Sequence, residues 1–242
     1  MNAQNIANAS ALEPLIIQTH SFQLQSYYRI KDSTKPLHVY IEGDGLAWIS
    51  KHKLSENPTP IKPVALELAS LDHRANILYL ARPCQYVKNN LCGSQYWSNK
   101  RFSKEVIDST NQAINVIKRH FSLSTVELVG FSGGAAVSIL AAAERDDVRE
   151  ITTIAGNLDH KRLNRLHHVS QLTESLNPID VATELNHIPQ LHLVGNKDIV
   201  VPKSIADAFV SASHKPENIQ IKNVNASHTQ GWSKIWEAML NN

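Results

Sequence analysis

The chain of 242 residues carries 24 Lys and Arg against 22 Asp and Glu, a net charge of +2 with no long block of one sign, which argues against a nucleic-acid partner. Its 42% hydrophobic and 19% charged residues exclude the disordered, collagenous and coiled-coil classes. A chain of this size buries roughly 70% of its unfolded surface, and nothing marks a boundary, so residues 1–242 are expected to form a single domain.

Residues 1–12 hold no Lys or Arg and no apolar run of the length that an export signal needs. As written, the expectation is a cytoplasmic protein, or a periplasmic or exported one if the start has been trimmed. Residues 15–30 read as a hairpin, and Leu37 to Ile41 as an apolar strand ending at Gly43 and Gly45. The Pro-containing stretch from Asn57 to Pro63 reads as a surface loop leading into a helix, with Val64, Leu68 and Leu71 at helical spacing. Strands follow at Ile77–Leu80, Val126–Val129, Ile151–Ile154, Leu191–Val194 and Ile219–Val224. Between the first two, Val106, Ile107, Ala113, Ile114 and Ile117 mark a longer helix, with Ser103 as its N-cap and Phe102 against Ile107 as a staple. Unbroken apolar strands alternating with helices predict an α/β fold, a mostly parallel sheet covered by helices on both faces.

Most glycines fall at or just past the C-terminal ends of these strands, the edge where open α/β sheets bind ligands. The uncharged run Leu128–Ala143 is short for a membrane span and contains Gly130-Phe131-Ser132-Gly133-Gly134, a G-x-S-x-G between strand and helix; no integral membrane segment is expected. A serine hydroxyl is a weak nucleophile unless a turn holds it out of the sheet within reach of a base. The helix starting there aims N–H groups at the site, with Gly133 N–H the first donor to an oxyanion. Asp198 lies past the strand ending at Val194, and His228 past the last strand, so the chain order is Ser, Asp, His, with room for a strand and helix between neighbours.

These residues resemble the α/β-hydrolase superfamily over roughly Leu37 to Leu240. The resemblance implies the α/β-hydrolase fold and a cofactor-free serine hydrolase, with Ser132 as nucleophile, His228 as general base and Asp198 as the acid that orients it. Glu42-Gly43-Asp44-Gly45 stands where the superfamily has a His-Gly motif, so Asp44 N–H, or alternatively Gly45 N–H, is the second oxyanion donor. Two carboxylates in that loop depart from the pattern and would oppose an oxyanion if they pointed inward. Residues 82–86, 155–160 and 175–178 resemble a largely uncharacterised bacterial branch, which names no substrate.

Each candidate has a plainer reading beside it. Asp198 competes with an Asx-turn role, with Asp180 and Glu184 as weaker substitutes, and His228 competes with His214, which belongs to the opposite edge of the sheet. Arg82 follows a strand end and either pairs with Glu42 or Asp44 or binds an acidic substrate. Trp48, Tyr96 and Trp97 lie in loops on the same edge and either line an acyl pocket or pack the loops down. His160, His167 and His168 lack any metal-ligand spacing and read as a solvated helix face, so no metal is expected. No cofactor motif is present, and Asn8 and Asn225 begin Asn-Ala-Ser triplets taken as chance. Cys84 and Cys92 leave two readings open, a disulfide closing a small loop or two reduced thiols.

From Gly156 to Pro189 there is room for a helix or two but not for a lid domain. The expected substrates are therefore small, soluble esters or thioesters at an open site. Rival readings are a peptidase, lactonase or acyltransferase using the same residues, and a non-catalytic ligand-binding relative. An interaction protein, suggested only by charges at Lys51–Lys53 and Lys100–Lys104, is a third; protein partners are otherwise unspecified by the sequence.

Overall fold

Why the apolar runs make one sheet is visible in their alternation. The computed structural model describes residues 3–50 and 52–241; Lys51, in one of the charged stretches above, lies outside them. In chain order the elements are α1 (Ala3–Ala9), β1 (Glu13–Gln18), β2 (Gln23–Ile30), β3 (Leu37–Ile41), β4 (Trp48–Ser50), β5 (Lys53–Leu54), α2 (Val64–Leu71), β6 (Asn76–Leu80), α3 (Lys104–Phe121) and β7 (Val126–Phe131). They continue as α4 (Gly133–Ala142), β8 (Val148–Ile154), α5 (His160–Leu166), β9 (Gln190–Gly195), α6 (Lys203–Ala212), β10 (Ile219–Val224) and α7 (Trp232–Leu240). Eight strands form one sheet in the order β1-β2-β6-β3-β7-β8-β9-β10, while β4 and β5 pair separately. From β6 to β10 every pairing is parallel, and β2 joins β6 antiparallel as the second strand of the initial hairpin.

Along β3, Leu37, Val39 and Ile41 face one side and Tyr40 the other; along β7, Val126 and Leu128 oppose Val129 and Phe131. The first face packs under α3, α4 and α6, and the second under α1, α2 and α7. Two cores thus sandwich the sheet, which buries its central strands on both faces.

Two local expectations are corrected, and one helix carries no sequence signal. The helix α1 has too little apolar periodicity to stand out, yet Ala3, Ile6 and Ala7 bury one short stripe against the second core. Ser103 occupies the N-cap of α3 but its hydroxyl caps no backbone N–H, although Phe102 and Ile107 are both buried as a staple would require. His160 is not on a solvated face: its ring is fully buried against Phe102. Cys84 and Cys92 are joined in a disulfide, so the open choice between the two readings resolves to the bridge. Among the described residues no helix is long and apolar enough to cross a membrane.

Candidate active site

Parallel strands send all their C-terminal ends to one edge, so loops far apart in sequence meet there. At the end of β7 the chain turns sharply into α4, and Ser132 at the turn has φ 52° and ψ −115°, a conformation that costs a non-glycine residue roughly 1–3 kcal/mol. Hydrogen bonds over-determine it. Ser132 N–H donates to Ile154 O at 2.9 Å, and its carbonyl accepts from Ala135 N–H and Asn157 N–H, both at 3.1 Å. Gly134 lets the turn press on the end of β3, because a Cβ there would overlap the carbonyls of Ile41 and Glu42.

The geometry around the hydroxyl is a relay. Ser132 Oγ lies 3.0 Å from His228 Nε2, and His228 Nδ1 lies 2.8 Å from Asp198 Oδ2. The second Asp198 oxygen accepts from the N–H groups of Val200 at 2.8 Å and Val201 at 2.9 Å, which fixes the carboxylate. Burial alone would raise its pKa; the hydrogen bond and charge of His228, with the two N–H groups, outweigh burial and hold it below the usual 3.8. The His228 loop is anchored from α7, where Trp232 Nε1 donates to the His228 carbonyl at 2.9 Å, and the imidazole rests near Phe131 with ring centroids 5.4 Å apart.

The loop after β3 does bring one carboxylate inward. A Cβ on Gly133 would overlap Asp44 Oδ1, so this carboxylate sits beside the start of α4. Two arginines offset it, Arg101 Nη1 at 2.8 Å from Oδ2 and Arg82 Nη1 at 3.3 Å from Oδ1. Burial pushes the Asp44 pKa up, but Arg101, Arg82 and then His228 pull it below 3.8. Burial lowers Arg82 to about 10, against the attraction of Asp44. Glu42 turns the other way, under the loop, where its carboxyl accepts from Gly43 N–H, Ala65 N–H and the Tyr79 hydroxyl.

Two clefts meet at Ser132. The smaller, about 420 Å³, runs from Asp44 and His228 past Trp48 to Ile61 and Lys62. The larger, about 690 Å³, runs past Arg101 and Asn157 to Leu163, Asn164 and residues 167–173. Of the proposed pocket residues, Trp48 lines both clefts. Arg82 does not: it is buried behind Asp44 and also donates to the Arg101 carbonyl. Tyr96 and Trp97 are likewise corrected, since Tyr96 packs edge-on against Phe22 and Trp97 is buried, donating to the Ser55 carbonyl at 2.9 Å. Sequence reasoning missed Arg101 and Asn157. Arg101 is hidden in a run of cations, and Asn157 is marked only by following the end of β8. Among the described residues no group of three or more His, Cys, Asp or Glu is placed to hold a metal ion.

The model of the family described as Serine hydrolase (FSH1) matches residues 73–228, well over half of the chain. The chain belongs to the FSH1 serine hydrolase family. Among solved structures, this family member is similar to an esterase of Pyrococcus furiosus, with a TM-score of 0.73, 12% identity and coverage of 100% of this chain and 92% of the other. An alpha-beta serine hydrolase homologue from Coxiella burnetii matches with a TM-score of 0.58, 19% identity and coverage of 94% and 95%. A serine hydrolase without a lid from Xanthomonas campestris gives 0.60, 14%, 95% and 92%. At these identities the likeness shows the fold, which is that of the α/β hydrolases. No curated protein matches the chain significantly. The matched span of the FSH1 family model begins before β6 and ends at His228, so it contains Ser132, Asp198 and His228.

Proposed function

We propose that this serine hydrolase cleaves esters or thioesters through an acyl-enzyme formed on Ser132. The observation that carries the reading is the hydrogen-bonded relay Ser132–His228–Asp198 at the junction of two open clefts. Ser132 Oγ attacks the carbonyl carbon as His228 Nε2 takes its proton, and Asp198 holds the imidazolium that forms. The oxyanion is received by Gly133 N–H at the start of α4 and by Asp44 N–H in the loop after β3. His228 then gives its proton to the departing alkoxide or thiolate, the carbonyl re-forms, and water repeats the sequence to release the acid. Arg82 and Arg101 matter here because they offset the Asp44 charge beside the place where the oxyanion develops. The esterase named among the structural neighbours supports an ester as the substrate class.

Intact mass after treatment with a fluorophosphonate tests the reading. One adduct is expected on the wild-type chain, absent in Ser132→Ala and much slower in His228→Ala. Folded wild-type protein that takes no adduct and hydrolyses no ester or thioester in a panel would sink it in favour of a ligand-binding role.

A further inference from the structure

Apolar side chains left in water are usually scattered, and a cluster of them marks a contact surface. Among the described residues, eleven large apolar side chains are exposed, and seven of them sit in the segments that frame the Ser132 clefts. Trp48, Ile61, Val169 and Val200 line the clefts themselves; Ile49, Leu166 and Ile199 are their immediate chain neighbours or one turn away. Two are almost wholly in solvent, Ile199 at 87% and Ile61 at 79%. Neither is needed by the core. Together they form an apolar rim on the active-site edge of the sheet.

The charge around this rim is biased. Segments 52–62, 160–170 and 197–203 carry seven Lys and Arg against Glu56 and Asp198, and Asp198 is committed to His228. Lys62, Lys161 and Lys203 pair with Glu67, Asp180 and Asp207, yet a cationic excess remains after these are counted. The chain as a whole is only at +2, so its surplus of positive charge is gathered on this edge. Apolar tips among Lys and Arg are the arrangement by which a protein rests in the headgroup region of an anionic bilayer.

We propose that the active-site edge docks on an anionic lipid surface, with Ile61, Leu166 and Ile199 entering the headgroup layer and the flanking cations facing lipid phosphates. Docking would place the mouths of both clefts against the membrane. Substrate would then arrive from that surface as well as from solution, which replaces the expectation of dissolved substrates alone. The binding surface does not depend on the catalytic reading above.

Flotation with vesicles tests this, comparing phosphatidylcholine alone with phosphatidylcholine containing phosphatidylglycerol. Wild-type protein is expected to float with the anionic vesicles and to be released by salt. The double variant Leu166→Ser/Ile199→Ser should bind them at least tenfold more weakly, since each side chain adds apolar burial at the interface. Lys197→Gln should weaken binding about fivefold. Both positions of the double variant are exposed and outside the core, and unchanged circular dichroism and hydrolysis of a water-soluble ester would show that it is folded. Equal binding to neutral and anionic vesicles, no binding to either, or undiminished binding by the double variant would each overturn the proposal. So would a dimer that the double variant dissolves, with no vesicle binding, because the rim would then be covered by a second copy. Wild-type protein that takes the fluorophosphonate but binds no vesicles rejects the docking surface alone; wild-type protein that binds anionic vesicles but takes no adduct rejects the catalytic reading alone.

Discussion

Glu42 should make this protein lose stability as the pH rises from about 5 to 7, and replacing it with Gln should abolish that loss. The carboxyl is buried under the loop that follows β3, with Gly43 N–H at 2.9 Å and Ala65 N–H at 3.3 Å on one oxygen and the Tyr79 hydroxyl at 3.2 Å from the other. Burial is the largest influence and raises its pKa from 4.5 to about 7 against those hydrogen bonds. The folded state therefore holds a proton that the unfolded chain releases, so stability falls through this interval and stays lower above it. Each pKa step is worth about 1.4 kcal/mol, which puts the cost of the charged form at about 3 kcal/mol.

Other groups act in the same range, and the design must remove them. His192, lowered to about 4 by burial, has the opposite slope, because the unfolded chain takes up its proton first. It is present in both proteins and cancels in the difference. Gln at position 42 keeps an acceptor for the two N–H groups and offers an N–H₂ to Tyr79, so only the titration is lost. Urea unfolding of wild type and Glu42→Gln from about pH 5 to pH 8.5 is the assay. The variant should gain little at the acid end and about 3 kcal/mol at the alkaline end. A difference that does not change with pH, or a variant less stable at pH 8.5, would refute the argument.

Three further outcomes are expected. Ser132→Gly should abolish ester hydrolysis yet raise stability by about 1 kcal/mol in denaturant melts, because relief of the positive-φ strain exceeds the added freedom of the unfolded chain; a destabilised variant would mean the turn is unstrained. Arg101→Gln should lower kcat/KM for neutral esters about tenfold, since Asp44 keeps only Arg82 to offset its charge beside the oxyanion; an unchanged value would show that Asp44 is adequately balanced by Arg82. Denatured under non-reducing conditions, the chain should titrate no free thiol, and Cys84→Ser/Cys92→Ser should cost about 2–3 kcal/mol for opening a loop of eight residues' separation; two free thiols, or no loss of stability, would count against the bridge.

The sheet was legible because its central strands are buried on both faces and so read as unbroken apolar runs; β3 falls on the residues expected from the sequence, as does β10, although β10 is a largely exposed edge strand. What the runs understate is length: β7 and β8 extend into Phe131 and back to Val148, where glycine and charged residues interrupt the pattern. The elements that escaped are those whose partners are distant. The burial of α1 depends on α2, and that of His160 on Phe102, neither of which is a local signal. Strand-end position marked Ser132, Asp198 and His228 as candidates, and parallel topology carries those ends to one edge, where the three side chains meet. It could not separate Trp48, which lines the clefts, from Tyr96 and Trp97, which share that edge but turn into the protein. Nor did it find Arg101, whose place is set by a carboxylate 57 residues away.

The junction of the two clefts at one hydroxyl divides the work of selection. Trp48, Ser132, Asp44, Arg101 and Val200 border both passages, whereas Ile61 and Lys62 belong only to one and Asn157, Leu163, Asn164 and residues 167–173 only to the other. Under the proposed function, an ester spanning Ser132 would present its acid half to one set of walls and its leaving half to the other. Changes confined to one wall would retune one half of the substrate while leaving the other half's fit untouched, so variation could explore acids and alcohols as two nearly separate problems.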